Sequence, residues 1–557
     1  MRGHLIQLVA LALPLSASAL NVLDWILPSS SPAVSVSSEV VPHKIAIIGA
    51  GAAGSSAAFW AAKAKARSNV ALEIDVFDRA DYVGGRSTVV FPHGNQSLDP
   101  VELGASIFVE ANKNLWRATQ EFNLTRLSFD DDDGTTGFWD GHQFVFIMDE
   151  GKGIWKWLDT IKALWRYGYK SPATTQALTK KMIEKFVSLY SPASPSWTNI
   201  SELATNMDWE DLISQSSAEY LDSQGISQLF SREIVESATR VNYGQNLDKI
   251  HALEGFCSMA ASGASSVKGG NFKIFEQFLA QSGANLFLNT SVLSITGKQD
   301  HWSIATSNGK TKSYNDVIIA APYYSTDIKI TGSNDVPTIK EIPIQPYVHL
   351  HVTLLTTTAP HPNPEYFGLK HNAKAPTSIL TTYEGVRHGG HEPEFNSLTY
   401  HGKIASDQDE FVVKIFSKEA LSDEWLDNVF SNKVTWVLRK EWDAYPELPP
   451  TTSFPPVVLA DGLYYANAFE PFISTMETET ISSRNIVDQI FRKRFNSDIC
   501  GRDLLNAQEK SDPVIILEDD VKQFVLTNDT EVLSETAEPI PEEPVNTDDF
   551  VLGWDCP

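Results

Sequence analysis

Short apolar runs rich in β-branched residues recur along the chain and predict buried strands. The first, Lys44 to Ile48, leads into an alanine-rich stretch that is typical of a helix. A second run, Leu72 to Phe77, follows, and a third, Asp316 to Pro322, returns far downstream. Strands that are apolar on both faces and alternate with helices are typical of a parallel sheet covered by helices. The pattern therefore predicts an α/β fold.

Between these runs the apolar spacing changes to the threes and fours of amphipathic helices. From Gly153 to Tyr190 large side chains, many of them aromatic, recur at that spacing until Pro192 ends the pattern. Further helices are predicted from Ser201 to Ser214 and from Ser227 to Arg240. We interpret the aromatic faces as part of an ordinary hydrophobic core. The alternative is that they line an apolar pocket or lie near a lipid surface.

The second half of the chain changes to strand patterns and then returns to a long helix. Alternating segments from Pro343 to about Thr452 predict a second sheet. The stretch from Leu463 to Phe495 predicts a strand, a loop through Glu470 and an amphipathic helix that begins at Ser474 or Thr475. Beyond Asp512 the chain becomes acidic and contains several prolines, which predicts a loosely held tail.

A glycine motif directly follows the first strand. Gly49, Gly51 and Gly54 have the G-x-G-x-x-G spacing of a turn that brings backbone N–H groups and a helix N-terminus to a pyrophosphate. Asp78 ends the second strand, where an acidic side chain accepts hydrogen bonds from a ribose hydroxyl. The motif predicts a dinucleotide site, and a glycine-rich turn without a ligand is the alternative.

The same stretch indicates which dinucleotide is bound. A second turn, Gly84 and Gly85, is followed by Arg86, and such a cation suits a pyrophosphate that is held from two sides. This arrangement resembles the FAD-binding opening of the amine oxidase and glutathione reductase-like flavoproteins. In those proteins a segment like ELGAS, here Glu102 to Ser106, lies along the cofactor toward the flavin. FAD is therefore the predicted cofactor.

The predicted fold is α/β, a discontinuous FAD-binding Rossmann-like domain of the glutathione reductase/amine oxidase type with an inserted mixed α+β substrate domain. The predicted organisation, in chain order, is a signal peptide at 1–19, a flexible leader at 20–43, a first FAD-binding part at 44–110, a largely helical substrate or cap region at 111–239, a second FAD-binding part at 240–330, a β-rich substrate domain at 331–455, a third FAD-binding part at 456–500 and an acidic C-terminal tail at 501–557.

Composition and charge narrow the class of partner. The 557 residues are 42% apolar and 20% charged, as in folded soluble proteins. The formal net charge of −26 argues against nucleic acid and anionic membrane surfaces, which need clustered lysine and arginine. The same charge is compatible with an acidic compartment, where carboxylates begin to protonate. Nucleic acid and anionic membranes are therefore not expected as partners.

The N-terminus has the pattern of a cleavable signal peptide. An apolar run from Leu5 to Leu15 precedes the small residues Ala17, Ser18 and Ala19, and a retained membrane anchor is the alternative. No other stretch has the roughly 20 apolar residues that a transmembrane helix needs. Secretory or endomembrane residence is therefore predicted, with glycosylation acceptors at Asn95, Asn123, Asn199, Asn289 and Asn528.

Cysteine and histidine give weaker indications. Cys257, Cys500 and Cys556 allow at most one internal disulfide bond, and Cys257 is predicted to be a buried, inert thiol. Cys556 falls in the predicted loose tail. His349 and His351 share one face of a predicted strand and His388 and His391 flank a Gly-Gly turn, but no acid follows at ligand spacing along the chain. Isolated histidines, and no metal site, are therefore expected.

In this order the pieces resemble the prenylcysteine oxidase family, FAD-dependent thioether oxidases of the secretory pathway. The specific segments are RVNYGQ, from Arg240 to Gln245, and SVKGGN, from Ser266 to Asn271. The resemblance implies lysosome-like, vacuolar or secreted residence and activity on farnesylcysteine or geranylgeranylcysteine with O2. Two departures are the PFIST segment, Pro471 to Thr475, where smaller residues are expected, and the longer acidic tail.

The implied chemistry begins with loss of hydride to the flavin from an allylic carbon beside sulfur. Water then adds, and the hemithioacetal collapses to a prenyl aldehyde and cysteine, while O2 becomes hydrogen peroxide. The protein has to position that carbon and admit one water molecule. The alternatives are an oxidase of amines or polyenes on the same scaffold and a flavin- or lipid-binding protein without turnover. Oligomeric state is left open.

The resemblance also assigns roles to residues. Arg240 is predicted to pair with the substrate carboxylate and Tyr243 to border the flavin, and a structural ion pair is the alternative for Arg240. The predicted FAD-binding residues are Gly49, Gly51 and Gly54 at the pyrophosphate, Asp78 at the adenosine ribose, Gly84, Gly85 and Arg86 on the second side, Gly104, Ala105 and Ser106 at the flavin end, Val292 at the adenine, and Glu470 with Met476 at the ribityl or ring end.

Overall fold

A computed structural model describes residues 41–129, 134–149, 154–194, 196–332, 338–507 and 550–557. The signal peptide predicted at 1–19, most of the leader predicted at 20–43, Asn528 and residues 508–549 of the tail lie outside the described residues. In the part of the chain that is described, no helix has both the length and the apolar character of a membrane span.

The strands are β1 (His43–Ile48), β2 (Leu72–Phe77), β3 (Thr88–Val90), β4 (Val101–Gly104), β5 (Arg126–Ser128), β6 (Thr135–Trp139), β7 (Phe144–Asp149), β8 (Ser265–Val267), β9 (Asn285–Phe287), β10 (Val292–Gly297), β11 (Trp302–Thr306), β12 (Thr311–Tyr314), β13 (Asp316–Ile319), β14 (Lys329–Thr331), β15 (Tyr347–Thr357), β16 (Ser378–Thr381), β17 (Ser397–Lys403), β18 (Phe411–Ser417), β19 (Val434–Pro446), β20 (Val458–Ala460) and β21 (Leu463–Tyr465).

The helices are α1 (Ala52–Ser68), α2 (Lys113–Glu121), α3 (Ile154–Tyr167), α4 (Lys170–Val187), α5 (Ile200–Asn206), α6 (Glu210–Ser214), α7 (Ser217–Ser223), α8 (Gln228–Phe230), α9 (Glu236–Tyr243), α10 (Ala252–Met259), α11 (Phe272–Ser282), α12 (Glu384–Arg387), α13 (Asp423–Val429), α14 (Met476–Phe495) and α15 (Leu504–Ala507).

One six-stranded sheet, in the order β20-β21-β13-β1-β2-β9, gathers three distant parts of the chain. β1 lies at its centre and pairs in parallel with β2 and with β13. Ile47 is opposite Val76 on one side and Ile318 on the other, and all three side chains are fully buried. Helix α1, flanked by α11 and α14, packs against β1 and β2, while β12 of a four-stranded sheet also contacts β1 and places Tyr314 against Phe77 of β2. A mainly parallel sheet of buried strands that is joined and covered by helices confirms the predicted α/β class.

Helices α1 and α14 pack closely on this sheet. A Cβ at Gly54 would lie 1.8 Å from the carbonyl oxygen of Gly49, so only glycine lets α1 begin so close to β1. The Oγ of Ser483 on α14 donates to the carbonyl of Ala53, and the indole of Trp60 donates to the carbonyl of Thr480. The small and polar residues of the two helices therefore hold the nucleotide-binding turn in place.

A seven-stranded mixed sheet, in the order β19-β15-β18-β17-β16-β6-β7, forms a second layer. Its strands β6 and β7 come from the region 111–239. That region is predicted to be largely helical, and the structure adds these two strands to its helices. The helix predicted from Ser201 to Ser214 is likewise two helices, α5 and α6. Asp208, with a φ of 47°, breaks the helix between them.

The end of the chain is held in place, which corrects the prediction of a loose C-terminus for residues 550–557. Cys500 and Cys556 form a disulfide bond across 56 residues. Trp554 is 8% exposed and packs against Phe59 and Trp60 of α1, with ring centroids 4.9 and 5.5 Å apart. Because this short segment contains apolar residues, it packs against the core, although the acidic residues around it predict a loose tail.

Candidate functional site

Two glycine turns face each other at the carboxyl end of β1. Gly49 has a φ of 113°, and a Cβ there would lie 2.3 Å from the carbonyl oxygen of Ala320. A Cβ at Gly51 would point at Gly84 and Gly85, 3.7 to 3.9 Å from their backbone atoms. The two turns therefore line one narrow cleft with backbone groups, as a pyrophosphate site requires.

Asp78 closes one end of this cleft. Its Oδ2 accepts a hydrogen bond of 2.7 Å from the backbone N–H of Ala50, and its Oδ1 accepts one of 2.8 Å from Ala80. The N–H of Thr290 donates to the carbonyl of Asp78, so the segment that leads into Val292 lies beside it. Each carboxylate oxygen keeps a second lone pair, which suits a ribose hydroxyl.

Arg86 and Glu470 form an ion pair where the second glycine turn meets the loop before α14. Nη2 of Arg86 donates to Oε1 of Glu470, and Nη1 donates to the carbonyl of Ala444 at 3.0 Å. The hydroxyl of Tyr347 donates to Oε2 of Glu470 at 2.5 Å. Burial and the neighbouring carboxylate raise the pKa of Tyr347, and Glu470 raises that of Arg86 despite its burial.

Buried polar atoms without a partner surround that ion pair. Both carboxylate oxygens of Glu479, in the first turn of α14, and Oδ1 of Asn467 have no hydrogen-bonding partner. Burial, and then the charge of Glu470, raise the pKa of Glu479, which favours the protonated carboxyl, a hydrogen-bond donor. Native proteins rarely leave such groups unpaired. FAD, with its ribityl hydroxyls and phosphates, fits these residues.

Helix α14 begins beside this group with a strong cap. Thr475 and Thr478 hydrogen-bond reciprocally, and Met476 is the first, half-buried residue of the helix. A Thr475→Ala variant is expected to lose about 1 kcal/mol of folding free energy, because the first turn loses a hydrogen-bond acceptor. Thr475→Ser keeps the hydroxyl and is the control. Equal stability of the alanine and wild-type proteins in urea would contradict the assigned cap.

The segment predicted at the flavin end is fixed from two directions. Gly104 lies against Trp442, since a Cβ there would be 2.9 Å from the indole ring, and Ala105 has a φ of 53°. Asn271 donates from Nδ2 to the carbonyl of Ala105 and from its backbone N–H to the Glu102 carboxylate. The SVKGGN and ELGAS segments are therefore directly hydrogen-bonded, which the sequence does not reveal.

Lys414 is a site residue that the sequence prediction missed. Its Nζ donates to the carbonyl of Glu102 at 3.0 Å and to Oγ of Ser106 at 2.9 Å. Burial lowers the pKa of Lys414 to about 8 and raises that of Glu102 to about 7.

Tyr243 connects the helical region to the loop before α14. Its ring packs edge-on against Tyr445, with centroids 5.7 Å apart, and its hydroxyl lies close enough to the buried carboxyl of Glu254 for each group to affect the pKa of the other. Glu254 accepts from the backbone N–H of Ser474, and burial raises its pKa to about 8. The thiol of Cys257 lies nearby, and burial raises its pKa too, in keeping with an inert thiol. Tyr243 therefore lies close to the loop before α14, which is predicted to bind FAD.

Arg240 is fully buried and bonded to protein groups. Its Nε donates to Thr381, one terminal nitrogen donates to Asn246 and Glu392, and the other donates to Asn396. The distance to Glu392 is 3.2 Å. These contacts match the structural ion pair that the sequence left open as the alternative. The geometry gives no support to contact with a substrate carboxylate, so that role stays a prediction.

The PFIST departure has a packing explanation. Phe472 is fully buried, and its ring lies 5.2 to 5.9 Å from those of Phe469, Phe454 and Trp209. Trp209 belongs to the helical region, so the large residue joins that region to the loop before α14. The large residue at this departure therefore fills core volume.

Comparison with protein families gives two matches to the chain. A family described as prenylcysteine lyase matches residues 151–500, and an NAD(P)-binding Rossmann-like domain matches residues 47–122. Farnesylcysteine lyase of Arabidopsis thaliana is 29% identical over 498 residues, which is 86% of this chain and 95% of that protein. Prenylcysteine oxidase 1 of Homo sapiens is 28% identical over 476 residues, 80% of this chain and 88% of that protein.

Solved structures with a similar fold are flavin amine oxidases and a related enzyme. Cyclohexylamine oxidase from Brevibacterium oxydans gives a TM-score of 0.52 at 14% identity and covers 81% of this chain and 99% of its own. A putative protoporphyrinogen oxidase from Exiguobacterium gives 0.54 at 14% identity, with coverage of 82% and 100%. At this identity the likeness establishes the fold alone.

Proposed function

The chain belongs to the prenylcysteine lyase family, and from that membership we propose that it oxidatively cleaves the thioether of prenylcysteines such as farnesylcysteine and geranylgeranylcysteine. The products are a prenyl aldehyde, free cysteine and, from O2, hydrogen peroxide. The observation that carries the proposal is the family match over residues 151–500, which includes RVNYGQ, SVKGGN and Glu470. The proposed place of the reaction in the cell is the degradation of prenylated proteins.

The chain is an FAD-dependent oxidoreductase. Bound FAD supplies the two-electron acceptor that thioether oxidation needs. In this proposal the two glycine turns, with Arg86, hold the pyrophosphate, Asp78 holds the ribose, and Glu470 with Met476 lies at the ribityl or ring end. Lys414, through Ser106 and the carbonyl of Glu102, fixes the backbone at the flavin end.

The residues near Tyr243 suit an apolar substrate chain. Tyr243, Ile250 and Leu448 are buried together, with Tyr445 packed against them. Ile250 and Leu448 are wholly buried and exclude water, and the rings of Tyr243 and the partly buried Tyr445 are the members that keep surface for an allylic cation or an apolar chain. We therefore place the prenyl chain against this cluster, with its allylic carbon toward the segment from Gly104 to Ser106.

Secretory residence, a cleaved signal peptide and N-glycosylation are part of the proposal. Four of the five acceptor asparagines lie in described residues, and all four, Asn95, Asn123, Asn199 and Asn289, are exposed. Exposure is what a glycosylated asparagine needs. Lysosome-like or vacuolar residence, with secretion as the other outcome, follows from this route. A shift in gel mobility on treatment with a glycosidase tests it.

Buried carboxyls predict greater stability in mildly acidic solution. Burial raises the pKa of Glu102 and of Glu477 to about 7 and that of Glu254 to about 8. In the unfolded chain these carboxyls titrate near about pH 4.5. Between that pH and pH 8 the folded protein therefore binds more protons than the unfolded chain, so the free energy of unfolding falls as the pH rises. Thermal unfolding should occur at higher temperature at pH 5 than at pH 8.

The Glu254→Gln variant is the control for this pH dependence, since it removes one of the groups that titrate. Its melting temperature should change less between pH 5 and pH 8 than that of the wild type. A melting temperature that rises from pH 5 to pH 8 in the wild type would contradict the assignment of neutral buried carboxyls.

The test of the proposed function compares substrates that differ in one feature. Peroxide and aldehyde are measured in air with farnesylcysteine, with S-dodecylcysteine, whose chain has similar length but no allylic carbon, and with putrescine or cyclohexylamine. Turnover of farnesylcysteine alone is expected, because only its carbon beside sulfur is also allylic. Faster turnover of either amine would show that the chain is an amine oxidase instead. A protein that binds flavin but turns over none of these substrates would be a carrier.

A further inference from the structure

Two histidines and two acids lie together on one side of β15 and β19. His349 and His351 are two residues apart on β15, so their side chains leave the same face. The antiparallel register places Asp443 opposite His349 and Glu441 opposite His351. Trp442, between the two acids, packs on the other side, against the core that includes the flavin-end segment. Because the partners come from another strand, spacing along the chain does not reveal them.

The distances suit one shared cation. Nε2 of His349 and Nδ1 of His351 each lie 3.8 Å from the same atom, Oε2 of Glu441. The ligand atoms of the three residues all lie within 4.8 Å of one another. These separations are too long for hydrogen bonds. Two ligands of a tetrahedral zinc ion are about 3.3 Å apart, so small side-chain rotations bring the three residues to a cation.

Asp443 supplies the partner that holds a metal-binding imidazole in place. Its Oδ1 lies 3.1 Å from Nδ1 of His349, which leaves Nε2 of that ring free toward Glu441. Metal-binding histidines almost always give their other ring nitrogen to such an acceptor. His351 is partly buried at 17% exposure, whereas the side chains of the other three residues are more than half exposed, so a cation reaches them from solvent.

We propose that His349, His351 and Glu441 bind a divalent first-row transition-metal cation, and that Asp443 orients His349. Two imidazoles and one carboxylate are a ligand set that zinc accepts, with water completing its coordination. The cation cross-links β15 and β19, and it lies on the side of β19 away from Trp442. Its role is therefore to stabilise these strands, and the oxidation at the flavin does not use it.

A cation bound to β15 and β19 also affects the proposed FAD cleft, because both strands continue to it. Tyr347 begins β15 and donates to Glu470, and Ala444 on β19 accepts from Arg86. A cation that joins the strands therefore restrains both sides of the ion pair. Its binding to the folded protein raises the melting temperature with the logarithm of the free metal concentration.

The test is titration of the full-length, FAD-loaded protein with ZnCl2 after treatment with a chelator, by calorimetry and thermal unfolding. One zinc ion per chain is expected. His351→Ala and Glu441→Gln should abolish binding in the micromolar range, and Asp443→Asn should weaken it by about 10- to 100-fold. His371→Ala, at an exposed histidine that pairs with Glu365, is the matched control and should bind zinc normally.

The outcomes separate a built site from scattered surface binding. Glu441 is 67% exposed, so Glu441→Gln should fold normally, and its flavin absorbance checks this. Zinc binding that is unchanged in His351→Ala and Glu441→Gln, or absent from the wild type at micromolar concentration, would overturn the proposal. Loss of binding in His371→Ala as well would also overturn it. None of these results depends on the substrate that the enzyme oxidises.

Discussion

An Arg86→Met variant is expected to lose about 3–5 kcal/mol of folding free energy and to be purified without FAD. Arg86 is 31% exposed but its partner is buried, and removal of the arginine leaves that buried charge uncompensated. Glu470 is only 2% exposed and would keep a single hydrogen bond, from Tyr347. The cleft would also lose the cation beside the second glycine turn that we propose to bind the pyrophosphate. Urea unfolding and the ratio of flavin to protein absorbance measure both effects.

The double variant Arg86→Met/Glu470→Gln separates these two losses. A neutral glutamine no longer leaves a buried charge, so part of the folding free energy should return, whereas FAD binding should not. Retention of normal stability and full flavin content by Arg86→Met would show that the pair neither supports the fold nor binds the cofactor.

A Lys414→Met variant is expected to fold and to bind FAD but to lose about 100-fold in kcat with little change in KM. Methionine fills the same buried space without a charge to desolvate. It cannot hydrogen-bond to Ser106 or to the carbonyl of Glu102, so the segment that carries them can shift. A displacement of about 1 Å at a reacting centre lowers the rate by about 100-fold. Lys414 is a positioning residue in this account, because it acts through the segment that it holds.

The pH dependence of kcat tests whether Lys414 acts in this way. The wild-type enzyme should lose activity as the pH rises through about 8, because Lys414 then loses its proton, its charge and one N–H group. Glu102 faces it, and burial raises the pKa of that carboxyl to about 7, so its ionisation falls in the lower part of the same range. The part of the alkaline limb near pH 8 should be absent from Lys414→Met. A kcat within a few-fold of wild type, with an unchanged profile, would contradict the role.

Much of the cofactor site is predictable because its geometry is local. A glycine spacing fixes the backbone of one turn, and the residue that ends β2 lies beside that turn whatever the rest of the chain does. Gly49, Gly51 and Asp78 are therefore found in one cleft with Gly84 and Gly85, although these were predicted one motif at a time.

The remaining contacts depend on which strands become neighbours. Lys414 reaches Ser106 across 308 positions, and Glu441 faces His351 only because β15 and β19 pair antiparallel in one register. A lysine in the middle of the apolar segment VVKIFS is a signal that sequence analysis can use, since a buried charge needs partners. The four bonds of Arg240 have no such local signal.

The most direct test of the enzyme's function is an anaerobic titration of the FAD-loaded protein with farnesylcysteine. The absorbance of the oxidised flavin should be lost, with release of farnesal and cysteine in equal amounts, and readmitted air should restore the absorbance and produce hydrogen peroxide. A flavin that stays oxidised in the presence of saturating farnesylcysteine would contradict prenylcysteine oxidation by this chain.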